Sequence, residues 1–258
     1  MSVPSYDTGS TTIASYDTGS TARASYDSNA VKNVFFDGVN DSVDCAVQVT
    51  LWSQSKTKFS FALWIYPLIL GDNNFREVIR QGWNATHAFV VYNDGATQNL
   101  LFVCKKADAT EPFAAVALPG TNRWIHIACV YDNSLGSANI KMYVNGTVGP
   151  TTGNLTEVMD NASALTLSTT TTDFNGFQKD FRWYTTKALS AAEVTNIFND
   201  SASAPTPDYW LKLNDGVGNP VDSIGGLTAT LSGGAEWRVD AALVRPQYSS
   251  ANLEFPGP

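Results

Sequence analysis

Between Asn175 and Asp200 the hydrophobic pattern changes from a two-residue period to a helical one. Over residues 177–184, one set of side chains alternates with another: Phe177, Lys179, Phe181 and Trp183 against Gln178, Asp180, Arg182 and Tyr184. Alternation of this kind is typical of a β-strand whose faces have different surroundings. The sequence therefore predicts a strand that carries these two sets on opposite faces.

A short helix is predicted directly after this strand. Ser190 is a suitable N-cap residue and Glu193 follows three positions later, which is the spacing of a capping box. Leu189 and Val194 occupy the two positions of a hydrophobic staple. These signals predict a helix from Ser190 to Asn199.

Elsewhere the chain has the pattern of many short strands joined by turns. Of its 258 residues, 43% are hydrophobic and only 16% are charged, and Ser, Thr, Asn and Gly crowd the segments between apolar runs. A chain of this length and apolar content can bury the core of one large β-sandwich. One main domain is therefore predicted.

Four segments carry a resemblance to a known family, and they occur in the order of that family. They are Phe35-Phe-Asp-Gly-Val-Asn-Asp-Ser-Val43, Phe59-Ser-Phe-Ala-Leu-Trp-Ile-Tyr66, the pair Arg123-Trp-Ile-His-Ile-Ala-Cys-Val-Tyr131 and Ile140-Lys-Met-Tyr-Val-Asn-Gly146, and the strand and helix of residues 175–200. Over about residues 31–200 the chain resembles laminin-G-like domains of the concanavalin A-like superfamily. The resemblance implies an all-β, antiparallel jelly-roll β-sandwich with one short helix. It implies no single function, since this fold serves lectins, adhesion modules, glycosidases and viral surface proteins.

Residues 1–30 contain a repeat with a period of ten residues. Ser5-Tyr-Asp-Thr-Gly-Ser10 recurs at Ser15 and, in a degenerate form, at Ser25. The composition is that of a flexible polar leader. The alternative is an extended arm that places Tyr6, Tyr16 and Tyr26 on a neighbouring subunit, because ten extended residues span roughly 33 Å. We interpret residues 1–30 as an N-terminal assembly arm and residues 31–258 as the sandwich.

The C-terminal segment resembles the opening segment of a laminin-G-like module, although here it follows the module. Too few residues remain after Trp237 to build a second domain. Residues 208–244 are therefore predicted to supply strands that close the same sandwich. The side chains expected to contribute are Trp210, Leu211, Leu213, Leu227, Leu231 and Trp237.

Charge and apolar patterning exclude two classes of partner. The formal net charge is −8, and the only cluster of basic residues is Lys105-Lys106, so nucleic acid is not an expected partner. No apolar run is long enough to span a bilayer and no secretory signal is visible, so membrane insertion is not expected either. Three cysteines (Cys45, Cys104 and Cys129) lie within apolar strand patterns and are predicted to be buried thiols.

The sequence offers no catalytic constellation. A glycosidase needs two carboxylates across a cleft, and no two of the six glutamates fall within one strand. The only histidines are His87 and His126, and neither a zinc motif nor a serine nucleophile elbow is present. His126 and Trp124 share an apolar strand face, so both are predicted to be core residues, with His126 hydrogen-bonded. We predict that the chain is not an enzyme.

Two binding features remain open. Calcium is the cofactor that the family resemblance makes plausible, with Asp37, Asn40 and Asp41 as oxygen ligands, but the same residues are also typical of a turn. For a glycan, Trp83 is the candidate loop aromatic, while the other six tryptophans lie in strand patterns and are predicted to be core. The metal ligands, if any, are undetermined at this point.

Two functions follow from these features. The first is a non-enzymatic structural or decoration protein of a larger particle, such as a viral (phage-like) capsid or tail surface, attached through the arm to the major capsid or tail protein. The alternative is a glycan-binding adhesion or receptor-binding module. In either case we expect a homo-oligomer on a virion or an extracellular surface.

Overall fold

The computed structural model describes residues 31–45, 52–70, 72, 74–82, 85–150, 152–169 and 173–239. Within these ranges the chain forms fifteen strands and one helix. In chain order they are β1 (Lys32–Asp37), β2 (Ser42–Asp44), β3 (Lys58–Pro67), β4 (Arg76–Gln81), β5 (Phe89–Asn93), β6 (Asn99–Cys104), β7 (Phe113–Ala117), β8 (Ile125–Asp132), β9 (Ile140–Val144), β10 (Thr147–Val148), β11 (Leu165–Leu167), β12 (Asn175–Tyr184), α1 (Ala191–Phe198), β13 (Tyr209–Leu211), β14 (Thr230–Ser232) and β15 (Glu236–Val239).

The strands form two antiparallel sheets packed face to face. The first sheet has the order β10-β9-β8-β3-β12-β1-β15, with β13 also paired to β12, and the second has the order β14-β2-β11-β4-β5-β6-β7. This arrangement confirms the predicted jelly-roll β-sandwich. Within the described residues, no helix is long and apolar enough to cross a membrane.

Aromatic rings fill the centre of the sandwich. The ring of Trp183 stacks on Phe61 and on Phe59, with centroids 5.6 and 5.2 Å apart. The edge of Trp52 meets Trp183 at 5.3 Å. All four side chains are fully buried, so they contribute much of the apolar burial that stabilises the fold.

The cysteines also lie in this core. Cys45, Cys104 and Cys129 are buried free thiols, as predicted. Burial raises the pKa of each thiol well above its ordinary value. The three side chains therefore act as small apolar residues.

Strand β12 is irregular at Asp180, and this irregularity changes which face each side chain occupies. The pairing of β12 with β3 shifts between Lys179 and Arg182. Asp180 has a φ of 55°, in the left-handed region that Asp tolerates better than most residues. Because the bulge inserts a residue, Lys179 lies on the outer face while Phe181 and Trp183 point into the core. The predicted unbroken alternation along this strand is therefore wrong.

Close packing fixes the start of the same strand. Gly176 has a φ of +146°, and a Cβ atom there would collide with the backbone carbonyl of Tyr66 on β3. Only glycine allows this approach. It brings Phe177 into register with Tyr66 on the outer face of the first sheet.

Helix α1 covers one half of that outer face. Its Ser190 and Glu193 form the predicted capping box, and Asn199 is the C-cap. Leu189 and Val194 lie in one apolar cluster, as the staple pattern predicts. The sheet beneath is built of small residues such as Ala62 and Ala128, which let the helix approach.

The C-terminal segment adds strands to both sheets. β13 pairs with β12, β15 pairs with β1, and β14 pairs with β2. Leu211 and Leu213 are buried in the main core, and Leu227, Leu231 and Trp237 pack against it. Trp210 does not reach the core, because its register partner is the outward-facing Arg182.

Candidate binding surface

The part of the first sheet's outer face that lies beyond α1 carries a row of aromatic rings. Phe35, Phe177, Tyr66 and Trp124 come from β1, β12, β3 and the residue preceding β8, and we call them the aromatic belt. Successive ring centroids are 5.0, 5.9 and 5.5 Å apart. The belt therefore runs across four neighbouring segments of the sheet as one continuous apolar strip.

Two cationic side chains lie on this strip. The ammonium group of Lys179 is 4.1 Å from the ring centroid of Trp124 and 5.8 Å from that of Trp64. The guanidinium carbon of Arg238 is 3.9 Å from the centroid of Phe35. Arg238 also forms an ion pair with Glu236, so part of its charge is balanced. Cation–π attraction of this kind is worth about 0.5–1 kcal/mol at an exposed site.

The rings of the belt differ in accessibility. Phe35, Tyr66 and Phe177 are only 7%, 5% and 4% exposed, whereas Trp124 and Lys179 are half-buried. Trp124 is thus the ring that a ligand in solution can reach. It lies on the outer face and not in the core between the sheets, which corrects the prediction that it is a core residue.

His126 lies beside the belt, under the end of α1. It is fully buried, with the rings of Trp64 and Phe198 at 5.2 and 5.7 Å. Among the described residues, neither ring nitrogen of His126 has a hydrogen-bond partner, so the prediction of a hydrogen-bonded core histidine is wrong in that respect. Burial, together with the charge of Arg182, lowers the pKa of His126 to about 3. The imidazole is therefore neutral at pH 7.

A second aromatic ring with two cationic side chains beside it lies further along the same face. The guanidinium of Arg182 and the ammonium of Lys212 are 4.6 and 5.0 Å from the ring centroid of Trp210. The carboxylate of Asp180 accepts hydrogen bonds from Arg182 and from the indole of Trp210. Of the six tryptophans predicted to be core, only Trp52 and Trp183 are fully buried; the other four (Trp64, Trp124, Trp210 and Trp237) are half-buried.

The predicted calcium ligands lie in a turn at the rim of the sandwich. The Asp37 carboxylate accepts the backbone N–H of Val39, and the Asp41 carboxylate accepts that of Asp37 at 2.6 Å. These are the contacts expected of a turn. Asn40 is exposed, and no group of three His, Cys, Asp or Glu side chains in the described ranges is placed to hold a metal.

Two buried carboxylates nevertheless meet at this rim. The backbone N–H of Asp41 donates to the Asp173 carboxylate at 3.2 Å, and the two residues are 0% and 3% exposed. Burial raises the pKa of both side chains, that of Asp173 to about 6. In the described residues one oxygen of each carboxylate has no hydrogen-bond partner. Two such oxygens fit a hard cation in chemical type but fall short of the six or more ligands that calcium takes.

Four residues singled out in the sequence lie outside the described ranges. They are Tyr6, Tyr16, Tyr26 and Trp83.

Sequence reasoning missed the belt, because its members come from four separate segments. Phe35, Tyr66 and Phe177 each belong to a strand that is apolar on both faces. A strand with apolar residues on both faces is expected to be buried on both faces. The sequences of these three strands could therefore have indicated an apolar cluster on the outer face. The position of Lys179 opposite Trp64 required the register of the β12 bulge, which the sequence pattern does not reveal.

Comparison with known proteins agrees with the fold. The sequence matches the Concanavalin A-like lectin/glucanases superfamily over residues 36–195, which is more than half of the chain. The chain therefore belongs to this superfamily and has a lectin-type fold of the laminin-G kind. A comparison with curated proteins finds no match.

Solved structures with the same fold include two proteins of distant sequence. A native heptameric SAP-like pentraxin from Limulus polyphemus is 12% identical, with a TM-score of 0.53, and the alignment covers 81% of this chain and 97% of the pentraxin. The botulinum neurotoxin serotype G binding domain is 17% identical, with a TM-score of 0.51, over 68% of this chain and 46% of that domain. At these identities the likeness concerns the fold alone.

Proposed function

We propose that the chain is a non-enzymatic carbohydrate-binding module and that the aromatic belt is its binding surface. The observation that carries this proposal is the half-buried ring of Trp124, which contacts the ring of Tyr66 edge-on and has the ammonium of Lys179 beside it. Sugar rings present apolar C–H faces that pack on an indole, and a nearby polar group then orients them. Membership of a lectin-type superfamily supports the same function.

The carboxylates of the described residues support a non-enzymatic role. Four of the five described glutamates form ion pairs, as the partners of Glu77, Glu111, Glu193 and Glu236 are Arg80, Lys105, Lys187 and Arg238. The fifth, Glu157, contacts the imidazole of His87 at 3.3 Å. The aspartate pair Asp41 and Asp173 is buried, so a glycan in solution does not reach it. A glycosidase needs two accessible carboxylates facing one cleft.

A glycan array probed with the protein of residues 1–258 tests this function. We expect binding to a restricted set of glycans and loss of that binding in Trp124→Ala. Phe75→Ala is the matched control, because Phe75 is an aromatic residue that is 57% exposed beside the second sheet, against Tyr92 of β5. An array without any bound glycan would refute the function, and loss in Phe75→Ala alone would refute the site. Trp83 lies outside the described ranges. We retain it as a proposed second contact for the glycan.

A second candidate function is favoured by the repeat in residues 1–30. Three tyrosines spaced ten residues apart suit an arm bound along a repeating surface, such as a viral capsid or tail. In this alternative the sandwich of residues 31–258 is a decoration or structural subunit of a virion, and Tyr6, Tyr16 and Tyr26 bind other subunits of the particle. The heptameric state of the Limulus pentraxin is consistent with a homo-oligomer for this fold. Deletion of the arm, considered in the Discussion, tests this candidate.

A further inference from the structure

The imidazole of His126 lies between helix α1 and the sheet that the helix covers. Its ring centroid is 5.2 Å from that of Trp64 on β3 and 5.7 Å from that of Phe198, the last residue of α1. Phe198 also stacks on Trp64 at 5.6 Å. His126 is fully buried, and neither ring nitrogen has a hydrogen-bond partner among the described residues. The helix can therefore lie on this imidazole only while the ring is neutral, because a buried charge without a partner is costly.

We infer that α1 is an acid-released cover of the outer face. At mildly acidic pH the ring of His126 takes up a proton from solvent, and α1 opens from the first sheet while the two sheets stay packed on each other. Opening exposes the apolar area beneath the helix, which includes Ala62, Ala128 and Tyr184.

The attachment of α1 allows it to open separately from the sheets. In the described part of the chain, no residue of α1 exchanges a hydrogen bond with a strand of either sheet, and the helix is held by buried apolar side chains such as Val194 and Ile197. Hydrogen bonds to the sheet flank the helix instead. The N–H of Leu189 donates to Oγ of Ser60 at 3.0 Å, and the hydroxyl of Tyr184 donates to the carbonyl of Pro205 at 3.1 Å. Residues 190–204 can therefore move as one segment between two anchored ends.

The charged groups of β12 oppose protonation of His126 in the closed state. Arg182 is the charge that acts on the imidazole, and its sign disfavours a second cation. The two carboxylates nearest to it, Asp180 at 2.9 Å and Asp200 at 3.4 Å, are bound to the Arg182 guanidinium. They are therefore engaged with Arg182 and are not partners of His126.

The other neighbouring elements supply no compensating carboxylate. Lys179 of β12 is a further cation, 5.8 Å from the ring centroid of Trp64. The only charged residue of α1 is Glu193, and its carboxylate is paired with Lys187 at 2.6 Å. A proton on His126 thus has no described anion to pair with, and it is stabilised by water once the helix opens.

The size of the effect follows from the change in the pKa of His126. Burial and the charge of Arg182 lower this pKa from 6.5 to about 3 in the closed state. If the ring regains its ordinary pKa when it meets water, the equilibrium constant for opening should be about 25-fold larger at pH 5 than at pH 7. The helix is therefore expected to stay closed at neutral pH and to open more often in acid.

Hydrogen exchange in the protein of residues 1–258 tests the inference. Exchange rates are divided by those of an unfolded peptide at the same pH, which removes the direct effect of pH on the chemistry. We expect the amides of α1 to be less protected than those of β5 and β6, two interior strands of the second sheet, at both pH values. The protection of α1 should fall about 25-fold from pH 7 to pH 5.

Variants then assign that fall to His126. His126→Phe keeps an apolar ring beneath α1 and cannot take up a proton, so the fall should disappear. Val194→Ala is the matched control, because it removes buried contacts of α1 without changing a titratable group. It should lower the protection of α1 at both pH values and keep the 25-fold ratio. An NMR titration of the His126 ring needs no variant and should give an apparent pKa well below 6.5.

Three results would overturn the inference. Equal protection of α1 and of β5 and β6 would show that the helix opens only with the whole sandwich. A fall of the same size in folded His126→Phe would assign the acid response to another group. An apparent pKa of His126 near 6.5 in a protein whose α1 protection is unchanged would show that the helix tolerates the charged ring.

Discussion

The carboxylate of Asp180 accepts a hydrogen bond of 2.6 Å from the indole nitrogen of Trp210, which lies on the neighbouring strand β13. The same carboxylate accepts a bond from Arg182 at 2.9 Å. These two contacts hold Asp180 in its left-handed conformation and so stabilise the bulge of β12. The bulge places Lys179 on the outer face beside Trp124, so it determines both the core register and the candidate binding surface.

Substitution of Asp180 should therefore destabilise the fold in a graded way. We expect Asp180→Ala to lower the free energy of unfolding by about 2 kcal/mol, since it removes two hydrogen bonds and leaves a β-carbon at positive φ. Asp180→Asn should cost less, because Asn tolerates the same φ and keeps an acceptor oxygen. Urea unfolding of the two variants measures the difference. Equal losses would show that the conformation of Asp180 does not depend on these contacts.

Features that depend on contacts between residues close in sequence could be predicted, and features that depend on contacts between distant residues could not. Helix α1 is specified by neighbours such as Ser190 and Glu193, which interact across one turn, and its limits were predicted closely. The bulge at Asp180 depends on Trp210, thirty residues away, and could not be inferred from a period-two pattern. The belt depends in turn on that register. Local signals thus predicted the elements, whereas the binding surface required the pairing of distant strands.

The two tryptophans Trp183 and Trp124 should respond differently to truncation. Trp183 is fully buried between Phe59 and Phe61, so Trp183→Ala should cost about 3–5 kcal/mol. Trp124 is half-buried on the outer face, so Trp124→Ala should cost clearly less, about 1–2 kcal/mol. Thermal unfolding of both variants provides the comparison. A cost for Trp124→Ala as large as that for Trp183→Ala would contradict the outward position of Trp124.

His126 should make the stability of the fold sensitive to acid. Its pKa falls from 6.5 to about 3 on folding because the ring is buried, so between these values the unfolded chain binds a proton that the folded chain does not. The contribution of His126 to the free energy of unfolding is therefore fully present above about pH 6.5 and is lost as the pH falls toward 3. About 2 kcal/mol of it is lost between pH 7 and pH 5.

A histidine substitution isolates this contribution. In His126→Phe the fall in unfolding free energy from pH 7 to pH 5 should be smaller than in the wild type by that amount. His87→Gln is the control, since His87 is a partly exposed histidine paired with Glu157. An unchanged pH profile in His126→Phe would show that the imidazole is not held neutral.

The buried carboxylates at the rim give a prediction of opposite sign. The pKa of Asp173 is raised from 3.8 to about 6, so its contribution to stability decreases as the pH rises from about 4 to 6. Without a bound cation, Asp173→Asn should raise the melting temperature at pH 7, because it removes a buried charge next to Asp41. Melting curves with EDTA and with excess calcium test this. If calcium raises the melting temperature of the wild type and Asp173→Asn abolishes that rise, the rim is a cation site instead.

Deletion of residues 1–30 separates the arm from the sandwich. The first strand, β1, begins at Lys32, and its partners in β12 and β15 all lie within the sandwich. We expect the truncated protein to remain folded with nearly the same melting temperature.

If the arm attaches the sandwich to a particle, the truncated protein should lose most of its affinity for that particle. The single variants Tyr6→Ala, Tyr16→Ala and Tyr26→Ala should each lower that affinity by part of the same amount. Truncating a strong tyrosine anchor costs about 2 kcal/mol, or a factor of about 30 in affinity. Cosedimentation of each variant with the particle measures this, and Tyr92→Ala, a tyrosine of β5 in the second sheet, is the control. Full occupancy by the truncated protein would refute the assembly role of the arm and leave the sandwich to act through its own surface.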